Sequence, residues 1–105
     1  MPRLVLALSL LTLAMSCGPS PEVEAINALT GVAAAGQPLY ATNCQTCHGA
    51  DGKSGTTMRN VAATAKSNPT RLISIVVSGG FSMPSFSGRL SNQEVADILA
   101  HAKSL

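Results

Sequence analysis

Large aromatic residues and charged residues are both scarce in this sequence. Its 105 residues include no tryptophan, one tyrosine and two phenylalanines, and only 11% of them are charged. A small chain with so few large side chains has a small hydrophobic core, so it needs additional stabilisation from a group such as a metal or a bound cofactor. The seven basic residues form no stripe and are not interleaved with aromatic residues. This pattern excludes the usual nucleic-acid-binding surfaces.

A catalytic constellation is missing as well. Serine, histidine and aspartate residues occur, but they are scattered along the chain and form no evident nucleophile–base pair. No internal repeat is visible, and 105 residues suffice for one small domain. We therefore expect a single small domain that is not an enzyme.

The first residues have the features of an export signal. Met1-Pro2-Arg3 supplies a positive charge, and residues 4–15 form an almost unbroken apolar run. This run is too short to cross a bilayer comfortably and is typical of the hydrophobic region of a secretory signal peptide. Residues 1–16 are therefore predicted to be a signal peptide that is removed from the mature protein.

A cysteine follows this apolar run. Leu13-Ala14-Met15-Ser16-Cys17 resembles the lipobox of bacterial lipoproteins, in which the cysteine becomes the lipidated first residue of the mature chain. The resemblance implies a lipid anchor on Cys17 that holds the protein at the periplasmic side of a bacterial membrane. The alternative is an ordinary signal peptidase, which Ala14 and Ser16 also suit. That cleavage would leave a soluble periplasmic protein with a free thiol.

The run Cys44-Gln45-Thr46-Cys47-His48 carries the chemistry of the chain. Two thiols separated by two residues and followed at once by an imidazole have the spacing of a covalent attachment site for c-type haem. Each thiol can add to one vinyl group of the porphyrin, and His48 can bind the iron axially. A thioredoxin-like redox pair would need a βαβ pattern, and a zinc site would need a second pair of ligands; neither occurs. A simple disulfide is the third alternative.

The segment before this motif has the composition of a linker. Residues 18–24 are rich in proline, serine and charge, and residues 25–35 are small and apolar. Residues 17–35 are therefore predicted to tether a domain that spans residues 36–105. The first helix of that domain is expected to start at residues 36–38 and to lead into the haem motif, because proline is tolerated in a first turn.

Two further helices are predicted from their capping residues. Asn68 and Pro69 form a start signal for a helix that ends at Gly79-Gly80, although its β-branched residues leave a strand as an alternative. Ser91-Asn92-Gln93-Glu94 is a capping box, and the apolar residues after it fall on one helical stripe. We expect this last helix to pack on the first one and to close the domain.

A six-coordinate haem iron needs a second axial ligand, and Met83 is the best candidate. It lies in a glycine-containing loop between two predicted helices, and Pro84 pushes it away from helical geometry. A methionine thioether opposite a histidine raises the reduction potential of the iron. The other candidates are Met58, which we expect to pack in the haem pocket, and His101, which we expect to fill space on the last helix. The alternative for Met83 is a side chain that fills a gap in the core.

Together these motifs resemble a small bacterial class I cytochrome c with one haem. The similar segments are Gly36-x-x-x-Tyr40-x-x-x-Cys44-x-x-Cys47-His48-Gly49, the loop Met83-Pro84-x-Phe86, and the last helix at residues 90–105. The resemblance implies an all-α class I cytochrome c fold, with three to four helices around one covalently bound haem. It also implies that the first and last helices cross near Gly36 and Tyr40 and that one haem edge is exposed.

Two positions depart from the pattern of this family. Many members have a proline in the loop after the haem motif, and its carbonyl accepts a hydrogen bond from the axial histidine. Residues 55–61 contain no proline, so the sequence does not identify the acceptor for His48. The last helix of the family usually carries tyrosine or tryptophan where this chain has His101.

The expected function follows from the filled iron site. With His48 and Met83 as axial ligands, no position is left on the iron for a substrate. We expect a monomer that binds no nucleic acid and that transfers single electrons between periplasmic or membrane redox partner proteins. Two alternatives stay open. One is a haem-based sensor, which requires Met83 to be displaced, and the other is an electron-accepting subunit of a larger redox enzyme.

Overall fold

The structure is a computed structural model that describes residues 18–80 and 82–105. The predicted signal peptide and the predicted lipidation site at Cys17 lie outside the described residues. The described part of the chain is helical and contains no strand, which confirms the predicted all-α fold class. Its helices are α1 (Pro21–Asn27), α2 (Ala33–Asn43), α3 (Gln45–His48), α4 (Val61–Ser67), α5 (Pro69–Ser78) and α6 (Asn92–Lys103).

These six helices are more than the three to four that the resemblance implies. One extra helix, α1, lies in the predicted tether, and another, α4, lies at residues 61–67, for which no helix was predicted. The helix expected to run into the motif is divided into α2 and α3 by a backbone break at Cys44. In the part that the structure describes, no helix has the length and hydropathy required to span a membrane.

Part of the predicted tether forms a helix that packs against the rest of the fold. The Ser20 hydroxyl oxygen accepts a hydrogen bond from the Val23 amide at 3.3 Å, and Pro21 occupies the first turn of α1. Val23 and Ile26 are each only 1% exposed and belong to the hydrophobic core. The serine and proline that suggest a linker by composition act here as helix-start residues. The folded region therefore includes residues upstream of the predicted boundary.

The hydrophobic core lies between α1, α5 and α6, and the loop that precedes α6 contributes one aromatic ring. Its buried members are Val23, Ile26, Ile73, Val76, Val77, Phe86, Val95 and Ala96. Met83, Leu90 and Leu99 are half-buried and pack against this cluster. The core therefore brings the N-terminal helix and the loop of Met83 to the same region of the fold.

The predicted starts of α5 and α6 are confirmed. The Asn68 side chain accepts a hydrogen bond from the Arg71 amide at 3.2 Å, and α5 is a helix rather than the alternative strand. The Ser91 hydroxyl oxygen accepts from the Glu94 amide at 3.1 Å, and the Glu94 carboxylate accepts from the Ser91 amide at 2.9 Å. These reciprocal bonds are the capping box that the sequence predicts.

α2 and α6 cross closely at Gly36, as the resemblance implied. A Cβ atom at Gly36 would overlap the Asp97 carbonyl of α6, so the two backbones can approach only because glycine is present. The Asp97 carboxylate also accepts a hydrogen bond from the Val32 amide at 2.8 Å, just before α2 begins. Because this partner comes from α6, α2 starts at Ala33, ahead of the start expected from the local sequence.

Candidate functional site

The haem motif forms a single turn between two backbone breaks. Cys44 leaves helical geometry at φ −120° and ψ −35°, α3 follows, and Gly49 ends the turn at φ +79°. The amides of Cys47 and His48 both donate to the Cys44 carbonyl, at 3.3 and 3.0 Å. This turn brings the two thiols and the imidazole together in one short segment, as the motif predicts.

Both thiols of this turn are free. Cys44 is half-buried, Cys47 is exposed, and neither is joined in a disulfide. Burial first, and the neighbouring Cys47 thiol second, raise the pKa of Cys44 to about 11. No disulfide joins Cys44 to Cys47, so the simple disulfide considered as an alternative is not formed in this structure.

The His48 imidazole is oriented by one neighbouring side chain. Its Nδ1 atom lies 3.1 Å from the hydroxyl oxygen of Thr57, and this hydroxyl also donates to the Cys47 carbonyl at 3.2 Å. Burial lowers the pKa of His48, which favours the neutral ring. A neutral ring with its hydrogen on Nδ1 has a lone pair on Nε2 for a metal.

Thr57 is a contact of His48 that the sequence did not single out. Many members of the family use a proline carbonyl as the acceptor for this histidine, but residues 55–61 contain no proline, so the sequence left the acceptor for His48 unidentified. The two threonines of this loop could have pointed to the acceptor, since a hydroxyl oxygen, like a carbonyl oxygen, can accept a hydrogen bond from the histidine ring. Only the path of the loop shows that Thr57 reaches the ring while the adjacent Thr56 does not make this contact.

The loop after the motif is packed directly against the haem turn. A Cβ atom at Gly55 would overlap the Cys47 carbonyl, so glycine permits this close approach. Within the loop, the Asp51 carboxylate accepts hydrogen bonds from the amides of Lys53 and Ser54 at 3.0 and 2.8 Å. The bond from the Lys53 amide, followed by those from Ser54, lowers the pKa of Asp51 to about 2.

Met83 lies in the loop between α5 and α6. Its amide and carbonyl pair with the carbonyl and amide of Gly80, at 2.8 and 3.0 Å, in a narrow turn. The loop then returns to α5, where the Phe86 amide donates to the Val76 carbonyl at 2.9 Å. The Met83 side chain is half-buried against the hydrophobic core. Met83 therefore lies in a loop that is held by backbone hydrogen bonds. Its binding to iron stays a prediction.

The other two ligand candidates have different surroundings. Met58 follows Thr57 in the loop, is 90% exposed and has a left-handed backbone with φ +55°. Its expected packing in the haem pocket stays a prediction. His101 is half-buried on α6, and its ring centroid lies 5.2 Å from that of Tyr40. This contact is the space-filling role expected of His101.

The donor set of the turn fits a covalently bound haem. Two free thiols and a neutral, oriented imidazole are the groups that attachment and axial ligation require. Among the described residues, no cluster of three or more histidine, cysteine, aspartate or glutamate side chains could hold a bare metal ion.

Comparison with known proteins identifies the family. A family model described as cytochrome c oxidase, cbb3-type, subunit III matches residues 31–101. The chain belongs to the cytochrome c family. The match includes the haem turn, the Met83 loop and most of α6, and this cytochrome c domain carries one covalently attached haem c with its iron.

Two small cytochromes are similar to this chain over most of their own length. A cytochrome c-553-like protein of Synechocystis sp. is 36% identical over 88 residues, which are 81% of this chain and 80% of that protein. Cytochrome c6 of Leptolyngbya boryana is 32% identical over 71 residues, 63% of this chain and 84% of that protein. No solved structure matches the chain significantly. The resemblance to small class I cytochromes with one haem is thus confirmed, whereas the lipoprotein assignment stays a prediction.

Proposed function

We propose that this cytochrome c domain is a one-electron carrier. Cys44 and Cys47 would attach the haem, and His48 and Met83 would be the axial ligands of its iron. The observation that carries the proposal is the haem turn, a single hydrogen-bonded turn that holds both cysteines and the oriented, neutral imidazole of His48 in one short segment. When bound, the haem supplies reversible one-electron chemistry at its iron.

The residues around the turn would keep this site rigid. The Tyr40 hydroxyl donates to the Gly49 carbonyl at 2.7 Å, which ties the end of the turn to the buried face of α2. α2 is in turn locked against α6 at Gly36. A site built on packed helices holds its ligands in one geometry, and this favours an electron carrier whose two oxidation states share one structure.

The surroundings of Met83 support its role as the second axial ligand. A thioether is a soft ligand that suits iron in the ferrous state. The loop that carries Met83 is held by backbone hydrogen bonds to Gly80 on one side and from Phe86 to Val76 on the other. Pro84 follows it directly and restricts its backbone to an extended conformation. Met58, the other methionine of the folded region, is exposed on the loop that carries Thr57. Met83 is therefore the thioether that we assign to the iron.

Replacing each methionine in turn tests this assignment. Met83→Ala should abolish the near-infrared sulfur-to-iron absorption band of the ferric protein and lower its reduction potential, because the thioether is lost. Met58→Ala is the matched control and should keep the absorption band, because Met58 is not the thioether assigned to the iron. If Met58→Ala removed the band and Met83→Ala did not, the axial assignment would be wrong. If the native protein had no Soret absorbance, the haem site itself would be refuted.

An electron-accepting subunit of a larger redox enzyme is the second candidate. It is favoured by the description of the matching family model, which names a subunit of an oxidase. The two similar small cytochromes, matched over 80% and 84% of their lengths, favour the independent carrier instead. Native mass measurement after mild solubilisation separates the two candidates. A carrier should have the mass of one chain with its haem, and a subunit should co-purify with its enzyme.

Displacement of Met83 separates an electron carrier from a haem-based sensor. In the carrier both axial positions are held by the protein, so the native ferrous form should bind carbon monoxide poorly. Met83→Ala should bind it readily, because the substitution opens one position on the iron. Ready binding by the unsubstituted protein would instead support the sensor.

We further propose that Cys17 is lipidated and holds the carrier at the periplasmic side of a bacterial membrane. Its support is the lipobox-like run at residues 13–17. The anchor would confine encounters with redox partner proteins to the membrane surface. Cys17→Ser should move the protein from the membrane fraction to the soluble fraction, and mass spectrometry should show loss of the lipid. Retention in the membrane fraction would contradict the anchor.

A further inference from the structure

The Thr57 hydroxyl has two partners on the haem turn, and together they determine which way its hydrogen points. Thr57 Oγ1 lies 3.2 Å from the Cys47 carbonyl, which can only accept a hydrogen bond. The single hydroxyl hydrogen is therefore directed to Cys47. The lone pairs of Oγ1 then face the Nδ1 atom of His48 at 3.1 Å.

This arrangement fits one tautomer of the neutral His48 ring. With the Oγ1 hydrogen directed to the Cys47 carbonyl, Nδ1 carries the ring hydrogen and donates it to Thr57. The neutral ring then has its free lone pair on Nε2, the atom that must face the iron if His48 is the axial ligand. Among the described residues, no other side chain forms a hydrogen bond with this ring.

The backbone holds Thr57 in this position. Its amide donates to the same Cys47 carbonyl at 3.2 Å, so Thr57 contacts that oxygen through both its backbone and its side chain. Gly55 packs on the same carbonyl, at a position where a Cβ atom would overlap it. The Met58 amide donates to the Gly55 carbonyl at 3.4 Å, which closes a turn around Thr57. The hydroxyl is therefore placed by the loop rather than by a freely rotating side chain.

We propose that Thr57 is the positioning residue for the axial histidine, and that its hydroxyl oxygen takes the place of the proline carbonyl common in this family. It would fix the rotation of the imidazole and, by accepting from Nδ1–H, make Nε2 a stronger electron donor to the iron. A stronger donor favours the ferric state, so the Thr57 hydroxyl would keep the reduction potential lower than it would otherwise be. The proposal rests on the proposed ligation by His48.

Three variants of the haem-loaded protein test this role. Thr57→Val keeps the branched shape but removes the hydroxyl, so it should raise the reduction potential and speed solvent exchange of the His48 Nδ1–H proton. Thr57→Ser restores the oxygen and should return both properties toward those of the native protein. Thr56→Val removes a hydroxyl from the adjacent exposed threonine and should change neither. A native potential and a native exchange rate in Thr57→Val would overturn the proposal.

Nuclear magnetic resonance of the unsubstituted ferrous protein gives a test that does not depend on any variant folding. The His48 Nδ1–H proton should show a nuclear Overhauser contact to the Thr57 side chain, and absence of that contact would overturn the positioning role. The absorption spectrum separates this failure from failure of the proposed function. If the native protein shows histidine–methionine ligation but Thr57→Val keeps the native reduction potential and the native exchange rate of the Nδ1–H proton, only the role of Thr57 is wrong. If the native spectrum shows no axial histidine, the proposed ligation is wrong and the role of Thr57 falls with it.

Discussion

At the scale of single residues, Tyr40 connects α2 to the end of the haem turn and to α6. Its side chain is 1% exposed, its hydroxyl donates to the Gly49 carbonyl at 2.7 Å, and its ring lies against His101. Burial, followed by the nearby Cys44 and Asp51, raises the pKa of Tyr40 to about 12. The hydroxyl therefore remains a hydrogen-bond donor at any physiological pH. His101 supplies the interhelical contact for which the family usually uses tyrosine or tryptophan.

Asp51 gives a prediction of pH dependence at the same scale. Its pKa is lowered in the folded protein from an ordinary 3.8 to about 2 by hydrogen bonds from the Lys53 and Ser54 groups. A lowered carboxylate pKa stabilises the fold above the ordinary value, and this stabilisation is lost as the pH falls through the folded value. Asp51→Asn should therefore lower the urea midpoint at pH 7, and the difference from the native protein should shrink between about pH 4 and pH 2. A difference that is independent of pH would contradict this assignment.

At the scale of helices, the crossing of α2 and α6 determines the framework on which the haem turn is built. Gly31 and Gly36 both face the backbone of α6, where a Cβ atom would overlap the carbonyls of Ala96 and Asp97, respectively. Asp97 is buried with 8% exposure, and its carboxylate accepts from the Val32 amide and from the Gln93 side chain at 2.8 and 2.9 Å. The α2–α6 crossing is thus held both by close backbone packing at the two glycines and by the hydrogen bonds of the buried Asp97 carboxylate.

Gly36→Ala tests this crossing, because two effects of opposite sign compete there. In an open helix, alanine is more stable than glycine by about 0.5–1 kcal/mol. At Gly36 the new methyl group would overlap the Asp97 carbonyl, and overpacking of this kind costs roughly 1–3 kcal/mol or more. We expect net destabilisation in urea unfolding of the haem-loaded protein. Gly18→Ala, where a Cβ atom would meet nothing within 4 Å, is the control and should have little effect.

At the scale of the whole molecule, the polypeptide has two packing centres. One is the core of α1, α5 and α6, which contains Phe86. The other is the α2–α6 crossing with Tyr40, whose hydroxyl is bonded to the end of the haem turn. Because α6 belongs to both, it links the haem turn to the hydrophobic core. α1 belongs to the domain for the same reason, since its buried side chains complete that core.

Ile26→Ala tests whether α1 is part of the cooperative fold. Ile26 is 1% exposed, and truncation of a buried isoleucine typically costs about 2–5 kcal/mol because a cavity is left behind. Leu29→Ala is the matched control: this side chain is 40% exposed, so its truncation should cost much less. Urea unfolding followed by haem absorbance would measure both. Equal, negligible effects would mean that residues 17–35 act as the flexible tether that their composition suggests.

Local chemistry explains which parts of the fold could be predicted from the sequence. The start of α5 and the capping box of α6 depend on side chains within three residues of the helix start, so Asn68 and Ser91 suffice to predict them. α1 was missed because proline, serine and charge describe both a linker and a helix start. The difference is whether Val23 and Ile26 find a surface to pack on, which depends on α5 and α6.

The sequence by itself indicated the family, the covalent haem and the all-α class, because the haem motif, the Met83 loop and the last helix together resemble those of small class I cytochromes c. Only the tertiary structure decided the contact at the start of α2, where the amide of the N-cap residue Val32 donates to Asp97, which lies 65 positions away in the chain. The tertiary structure also decided that the Thr57 side chain is the one that contacts Nδ1 of His48. A loop can deliver any of several oxygens to that ring, and which one arrives depends on how the backbone from Gly55 to Thr57 packs against the Cys47 carbonyl.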